Sequence, residues 1–153
     1  ETTHRQVVLP TVWVLRSGSE EQRDSWALGN GLGGGGWDWL PDITKISDKD
    51  ELRRIIRQYR PAAAASGEKN HVSELWAIRS EIALGDVIVM PRTRQDKVAL
   101  GVVTAQYSFD EAAADVSLRH RIGVNWRRSD VSRSGMSTDL RDVMDSRGTV
   151  FKP

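Results

Sequence analysis

Apolar and polar residues alternate along several short stretches of the chain that are rich in β-branched and aromatic side chains. This pattern is typical of strands with one buried face. Strands are predicted at residues 11–16, 87–91, 98–106, 118–126 and 149–151. Another strand is predicted around Trp37, ending at Pro41, and Gly101 is expected to mark a bulge or a strong bend.

Helical periodicity is clearest in residues 47–59, where apolar residues recur at helical spacing: Leu52, Ile55, Ile56 and Tyr59. Ser47 is the expected N-cap, acidic residues follow in the first turn, and Pro61 ends the helix. Other helices are predicted at residues 20–28, 71–82 and 140–144.

The small and polar residues 62–69 are predicted to form a mobile loop. The predicted order is therefore strand, helix, strand, two helices and then mostly strands at hairpin spacing. This order favours an α+β fold, with a small curved β-barrel and flanking helices. Because no repeat or long linker divides the chain, residues 11–153 are predicted to form a single domain after a flexible lead-in at residues 1–10.

The composition is that of an ordinary globular protein, with 39% hydrophobic and 28% charged residues in 153. Cysteine is absent, which excludes disulfides and thiolate metal sites in this chain. There is no apolar run of membrane-spanning length and no signal-peptide pattern, so no membrane partner and a cytoplasmic location are expected. His4, His71 and His120 lack metal-ligand spacing, and no metal is expected.

Motifs that would indicate catalysis are missing from the sequence. There is no phosphate-binding glycine loop followed by Lys-Ser/Thr, no dinucleotide fingerprint, no nucleophile elbow and no His-Glu-x-x-His. The chain is therefore expected not to be an enzyme and to need no cofactor.

Positive charge is concentrated locally, although the net charge is only +1. Residues 119–133 contain five arginines and one aspartate, which leaves a local charge of +4 with His120 neutral. A smaller basic group follows the strand at 87–91: Arg92, Arg94 and Lys97. Arginine suits bidentate contacts with phosphate, so these groups are candidates for nucleic-acid contact, although each arginine alone is more typical of a solvated surface.

The most unusual stretch is four glycines, Gly33 to Gly36, followed directly by Trp37, Asp38 and Trp39. Two indoles around a carboxylate after a flexible backbone would suit a pocket for a planar guest that donates hydrogen bonds, such as a nucleobase. A plain loop followed by core tryptophans is the alternative, and these residues alone favour it.

Other tryptophans are expected in the core, on strands or on a helix face: Trp13, Trp76 and Trp126. Arg79 is as good a candidate for an internal ion pair, with Asp86 as a possible partner, as for ligand contact. Asp86 follows Gly85 and is expected to form a turn.

Several segments, in this order and spacing, resemble the N-terminal reader domain of modification-dependent (type IV, Mrr- or McrBC-type) bacterial restriction endonucleases. That domain is similar to the EVE and YTH modules of the PUA-like superfamily. The resembling segments are residues 12–18, the Gly36-Trp37 pair, residues 75–79 and 82–89, residues 99–103 with Tyr107, and residues 120–126 and 130–133. Together they span residues 11 to 152.

The resemblance implies a PUA-like β-barrel that flips a modified base from double-stranded DNA into an aromatic pocket. The implied pocket residues are Arg16, Ser17, Gly18, Trp37, Asp38, Trp39, Leu118 and His120. Trp37 is the expected stacking wall, Asp38 an acceptor for an exocyclic amine, and Ser17 a partner for the Watson–Crick edge. The implied contacts with the DNA backbone come from Arg92, Arg94, Arg119, Arg121, Arg127, Arg128 and Arg133. The chain departs from YTH modules before Val124, where Leu118, Arg119 and His120 replace an aromatic residue.

By this resemblance, 5-methylcytosine or a related 5-modified cytosine is the favoured base. N6-methyladenine is the alternative within the same class, and an RNA-binding PUA-like module is a further one. A protein-interaction or small-ligand domain also stays open. A nuclease domain, and any oligomerisation, are expected in the remainder of a longer protein.

Overall fold

The computed structural model describes residues 10–16, 21–61, 65–93, 95–135 and 150–151. The strands are β1 (Val12–Leu15), β2 (Leu32–Gly34), β3 (Val87–Pro91), β4 (Lys97–Phe109), β5 (His120–Ser132) and β6 (Val150–Phe151). The helices are α1 (Glu21–Asn30), α2 (Lys49–Tyr59) and α3 (Ala65–Trp76), and α3 continues into a π-helical turn (Ala77–Glu81). Short 3₁₀ turns lie at Val116–Leu118 and Arg133–Gly135. The strand predictions near residues 11–16, 87–91, 98–106, 118–126 and 149–151 are confirmed, as are the three longer helices.

The six strands form one mixed sheet in the order β2-β5-β4-β3-β1-β6. Only the β1–β3 pair is parallel, with Trp13 opposite Ile88. The long β4–β5 hairpin changes register at several points, one of them between Leu100 and Gly101, which confirms the irregularity predicted there. A Cβ on Gly101 would lie 2.5 Å from the Val124 side chain, so glycine is required where the two strands approach most closely.

The predicted closed barrel is not what the structure shows, although the α+β class is confirmed. Within the described residues, β2 and β6 are the two edges of the sheet and do not pair with each other. Both edge strands are very short, with three and two residues. β2 ends because the backbone turns left-handed after it, so it offers too few hydrogen bonds to close the sheet.

The main core lies between the sheet and helices α2 and α3. Leu52, Ile56 and Leu75 are fully buried there with strand residues such as Ile88 and Ile122.

The N-cap of α2 is Asp48 and not the predicted Ser47, since the Asp48 side chain accepts from Glu51 N at 2.8 Å. The N–H of Ser47, the residue before the cap, donates to the Glu51 carboxylate at 2.9 Å, so Glu51 also fixes the chain that enters α2.

Two local predictions are wrong. Residues 65–69 belong to α3 rather than to a loop, and Glu68 of this first turn pairs with Arg57 of α2 at 2.9 Å. Trp37 is not on a strand, because the strand is formed by the preceding residues, Leu32–Gly34, and Trp37 lies in the turn that follows. The predicted helix at 140–144 lies outside the described residues.

Trp13 is in the core as predicted, and Trp76 and Trp126 are partly buried against it. The suggested Arg79–Asp86 pair does not form. Asp86 is buried and accepts from Trp13 Nε1 at 3.0 Å and from Thr11 N at 3.1 Å. Arg79 instead donates to the carbonyl oxygens of Ile43 and Thr44, at 3.0 and 2.7 Å. Trp126 is partly buried and donates to Ala27 O at 3.1 Å.

Within the described ranges, no helix is both long enough and apolar enough to cross a membrane.

Candidate nucleic-acid interface

The glycine run forms a left-handed segment that leads into the tryptophan turn. Gly34, Gly35 and Gly36 have φ of 98°, 92° and 91°, and Trp37 follows with φ 47°. Trp37 is the only non-glycine residue with positive φ among the described residues. An L-residue in this region costs about 1–2 kcal/mol, and strain of this kind is often found at functional sites.

Close packing against β5 and α1 explains why these positions are glycine. The N–H groups of Gly35 and Gly36 donate to the carbonyl oxygens of His120 and Ser117, at 3.0 and 2.6 Å. A Cβ on Gly35 would lie 3.3 Å from Ser117 O and within 3.7 Å of the Trp26 ring. The run therefore holds the following turn against β5 rather than leaving it free.

Trp37 and His120 form a buried contact beneath this turn. Trp37 is only 9% exposed, and its ring meets His120 edge-on at a centroid distance of 6.5 Å. His120 is fully buried, its Nε2 donates to Leu40 O at 2.9 Å, and its Nδ1 lies 2.7 Å from the Tyr107 hydroxyl. Because a carbonyl can only accept, Nε2 bears the proton and Nδ1 of the neutral ring accepts from Tyr107.

These positions differ from the pocket predicted from the sequence. His120 offers no polar atom to a guest, because both ring nitrogens are bonded within the protein. Trp37 belongs to the main core and does not present an open ring face. Leu118 is half-buried, and its carbonyl oxygen accepts from the Arg121 guanidinium.

Burial lowers the pKa of His120 below its ordinary value of 6.5, against smaller opposing effects from Leu40 and Asp42. The unfolded chain therefore binds more protons than the folded chain below about pH 6.5, and the free energy of unfolding should fall as the pH falls. One such group contributes a slope of at most about 1.4 kcal/mol per pH unit.

We expect urea denaturation between pH 7.5 and 5.5 to show this loss of stability. His120→Gln should reduce the slope of unfolding free energy against pH. His71→Gln provides a comparison, because burial lowers the pKa of His71 in the same direction. A slope unchanged by His120→Gln would contradict the buried neutral imidazole.

The residues after Trp37 are more accessible. Asp38 is exposed and Trp39 is half-buried. The Trp39 ring meets His71 edge-on at 5.3 Å, and the Arg60 guanidinium lies 4.8 Å from its centroid. Trp39 thus has more accessible surface than Trp37 at this turn.

An arginine cleft lies at the hairpin end of the sheet, where β1 ends, β3 turns into β4, and β5 ends. The cleft has a volume of about 490 Å³ and is lined by Arg16, Pro91, Arg92, Thr93, Gln95, Asp96 and Arg133. Among the described residues, three arginines from distant parts of the chain therefore line one cavity, and Asp96 is the one acidic residue in its lining.

A buried carboxylate of α1 supports the cleft from behind. Asp24 is 1% exposed, accepts from Thr93 N at 2.6 Å and lies 3.6 Å from Arg92 Nε. Arg92 also donates to Ser129 O at 2.8 Å. The hairpin that presents Arg92 is thus fixed to α1 and β5 before any ligand binds.

The other arginines predicted to contact the DNA backbone divide into exposed residues and residues bonded within the described part of the chain. Arg127 and Arg128 are exposed on β5, beside a smaller cavity of about 240 Å³. Arg121 is held by Leu118 O, by Asp110 at 3.5 Å and by the Trp26 ring at 5.2 Å. Arg119 is half-buried and donates to Ala113 O at 3.3 Å. Ser17, Gly18 and Arg94 lie outside the described residues.

Helix α1 contacts both the tryptophan turn and the arginine cleft. Asp24 contacts the cleft through Thr93, whereas the neighbouring Arg23 lies 3.4 Å from the position of a Cβ on Gly36. Both candidate regions therefore meet the first half of the same helix.

Sequence reasoning missed three residues that shape these regions: Asp24, Arg60 and His71. Asp24 belongs to a short helix of mixed composition, and Arg60 and His71 lie far from Trp39 in sequence. No local pattern marks them, because their contacts are all long-range or between elements.

In the described part of the chain, no three His, Asp or Glu side chains are grouped as metal ligands would be. The fold and these two regions define a small α+β domain with a cationic cleft and an aromatic turn that both contact α1.

The chain belongs to the family described as "Domain of unknown function (DUF8426)", whose model matches residues 13–151. Comparison with curated proteins gives no match. Among solved structures, the chain is similar to the YTH domain of the Zygosaccharomyces rouxii MRB1 protein in complex with N6-methyladenosine RNA. The identity is 12% and the TM-score 0.44, over 94% of this chain and 80% of that one. A TM-score below 0.5 does not define a shared fold.

Proposed function

We propose that this domain binds double-stranded DNA that carries a methylated base, as the recognition domain of a type IV restriction endonuclease. The base is flipped out of the helix and held at the tryptophan turn, and the arginine cleft binds the sugar–phosphate backbone. 5-Methylcytosine or a related 5-modified cytosine is the favoured base. The observation that carries the proposal is that the cationic cleft and the strained aromatic turn both contact α1.

The charge distribution supports a polyanionic ligand. Arg16, Arg92 and Arg133 line one cleft, and Arg127 and Arg128 extend the basic surface along β5. Arginine clusters of this kind bind phosphate through bidentate contacts, and binding releases counterions. Affinity should therefore fall steeply as the salt concentration rises.

The energetics assign different tasks to the two regions. Flipping a base costs a few kcal/mol, and stacking on an aromatic side chain returns about 1–3 kcal/mol. Burial of one methyl group adds only about 0.8 kcal/mol, so a tenfold preference also requires that the site fits the unmodified base poorly. Most of the affinity must therefore come from the arginines, while the aromatic turn supplies a smaller preference for the modified base.

A binding titration with matched duplexes tests the proposal. The duplexes carry cytosine, 5-methylcytosine, 5-hydroxymethylcytosine, adenine or N6-methyladenine at one position, at fixed salt. We expect at least a tenfold preference, about 1.4 kcal/mol, for one 5-modified cytosine.

The other outcomes each contradict part of the proposal. A preference for N6-methyladenine would identify a reader of the alternative base. Equal binding to every duplex, with tighter binding to single-stranded RNA of the same sequence, would indicate an RNA-binding module. No binding to any nucleic acid would contradict the function itself.

A further inference from the structure

Three side chains form a niche beside the turn that follows Trp37. Trp39, Arg60 and His71 come from the turn, from the C-cap of α2 and from α3, and we call them the Trp39 niche. The Arg60 guanidinium lies 4.8 Å from the centroid of the Trp39 ring. The His71 ring lies 5.3 Å from the same indole, at an interplanar angle of 69°. The niche is thus bounded by an indole, a guanidinium and an imidazole.

The backbone of Arg60 is fixed by the helix cap, and its guanidinium has no carboxylate partner among the described residues. Its N–H donates to Ile56 O at 2.7 Å and caps α2. Its side chain is exposed, and the Trp39 ring is the contact that its guanidinium makes within the described residues. A guanidinium held over an indole without a carboxylate partner can pair with an incoming phosphate at little cost.

His71 has a polar atom that lacks a partner. Its Nδ1 is buried and makes no hydrogen bond with any of the described residues. Burial, and then the nearby Arg60 charge, lower the pKa of His71, so the ring is neutral at pH 7. A buried polar atom without a hydrogen bond costs about 1–3 kcal/mol, and a guest that bonds to Nδ1 would recover part of that cost.

The two tryptophans of the turn differ in accessibility. Trp37 is 9% exposed and belongs to the core, whereas Trp39 is half-buried at the edge of the core. A base can reach the Trp39 face by displacing one exposed side chain, that of Arg60. Reaching the Trp37 face would require the core to open.

We propose that the Trp39 niche, and not the ring of Trp37, stacks the nucleobase that this domain extracts. The inference rests on the proposed function and names the residues of its base site. The base takes the place of the Arg60 guanidinium on the indole, and Arg60 turns to a phosphate of the same strand. His71 Nδ1 forms a hydrogen bond with an edge of the base, and Trp37 holds the turn in place from beneath.

Titration of variants with the preferred modified duplex and its unmodified counterpart tests this inference. Arg60→Ala should weaken binding of the modified duplex about tenfold. The matched control is Arg54→Ala, which removes the same charge from an exposed position of the same helix and should change affinity less than twofold. The two variants should change the affinity for the unmodified duplex equally.

Trp39 is tested by a conservative pair of variants. Trp39→Phe keeps an aromatic face, and its affinity for the modified duplex should stay within about threefold of that of the wild-type protein. Trp39→Leu should lower the affinity for the modified duplex at least tenfold and leave the affinity for the unmodified duplex unchanged. Circular dichroism and the unfolding midpoint establish that each variant folds. If folded Trp39→Leu still preferred the modified duplex, the Trp39 niche would not be the base site, although the proposed function would stand. If the wild-type protein showed no such preference, both the base site and the proposed function would be wrong.

Discussion

Replacement of Trp37 by alanine is expected to lower the free energy of unfolding by about 3–5 kcal/mol, the usual cost of removing a large aromatic side chain from a core. The indole is nine-tenths buried, packs in the main core and meets the fully buried His120. Its removal leaves a cavity beneath the turn and takes away the edge contact that holds the imidazole. Since Trp37 O also accepts from Leu40 N at 3.0 Å, loosening of the turn should spread to Leu40, which bonds His120.

Urea denaturation of Trp37→Ala and Trp37→Phe, followed by circular dichroism, measures this effect. The phenylalanine variant fills most of the cavity and should lose less than half as much stability. Trp39→Ala is the matched control from the same turn, and its half-buried ring should cost clearly less than Trp37→Ala. If Trp37→Ala and Trp39→Ala unfolded at the same urea concentration, Trp37 would not be the anchor of the turn.

The double variant Arg16→Ala/Arg133→Ala is expected to weaken duplex binding by tenfold or more, for modified and unmodified DNA alike. The reason is that phosphate contacts position a duplex without reading its bases. Each neutralised phosphate contributes about 0.9 to the slope of log K against log salt concentration, so two lost contacts should reduce that slope by about 1.8. Titrations at four or five salt concentrations measure both quantities.

The control for this variant is Arg54→Ala/Lys69→Ala, which removes two positive charges from exposed positions on α2 and α3. We expect it to reduce affinity only slightly and to leave the slope nearly unchanged. Equal effects of the two double variants would mean that net charge, and not the arginine cleft, governs binding.

The sequence predicted most of the elements because their patterns are local. The β-branched runs of β1, β3, β4 and β5 and the apolar stripe of α2 each bury one face, and such faces are visible as periodicity. The first turn of α3 was missed because Ala65, Ser66 and Gly67 have no apolar period, and its described ion pair is with another helix. Trp37 was placed on a strand because an indole suits a strand, but the left-handed backbone before it turns the chain.

The candidate site was less predictable than the elements. Tryptophans 37 and 39 look equivalent in the sequence, and only the packing of His120 beneath one and of Arg60 over the other distinguishes them. His120 seemed accessible beside basic residues, yet strand alternation places it inward, against Tyr107 and Phe109. Arg16 and Arg133 are more than 100 residues apart in the sequence. The parallel pairing of β1 with β3 brings Arg16 beside Arg92, and the antiparallel pairing of β4 with β5 brings Arg133 to the same end of the sheet.

The sequence by itself determined most of the segments that fold as strands and helices, that the glycine run permits backbone angles closed to other residues, and that arginine is concentrated in residues 119–133. Each of these depends on neighbouring residues, through periodicity, backbone sterics or charge. Only the tertiary structure decided that the sheet stays open within the described residues, that Trp37 is buried while Trp39 is more accessible, and that the arginine cleft and the tryptophan turn both contact α1. Those features depend on contacts between residues far apart in the chain, which are set by strand register and core packing and leave no local signature.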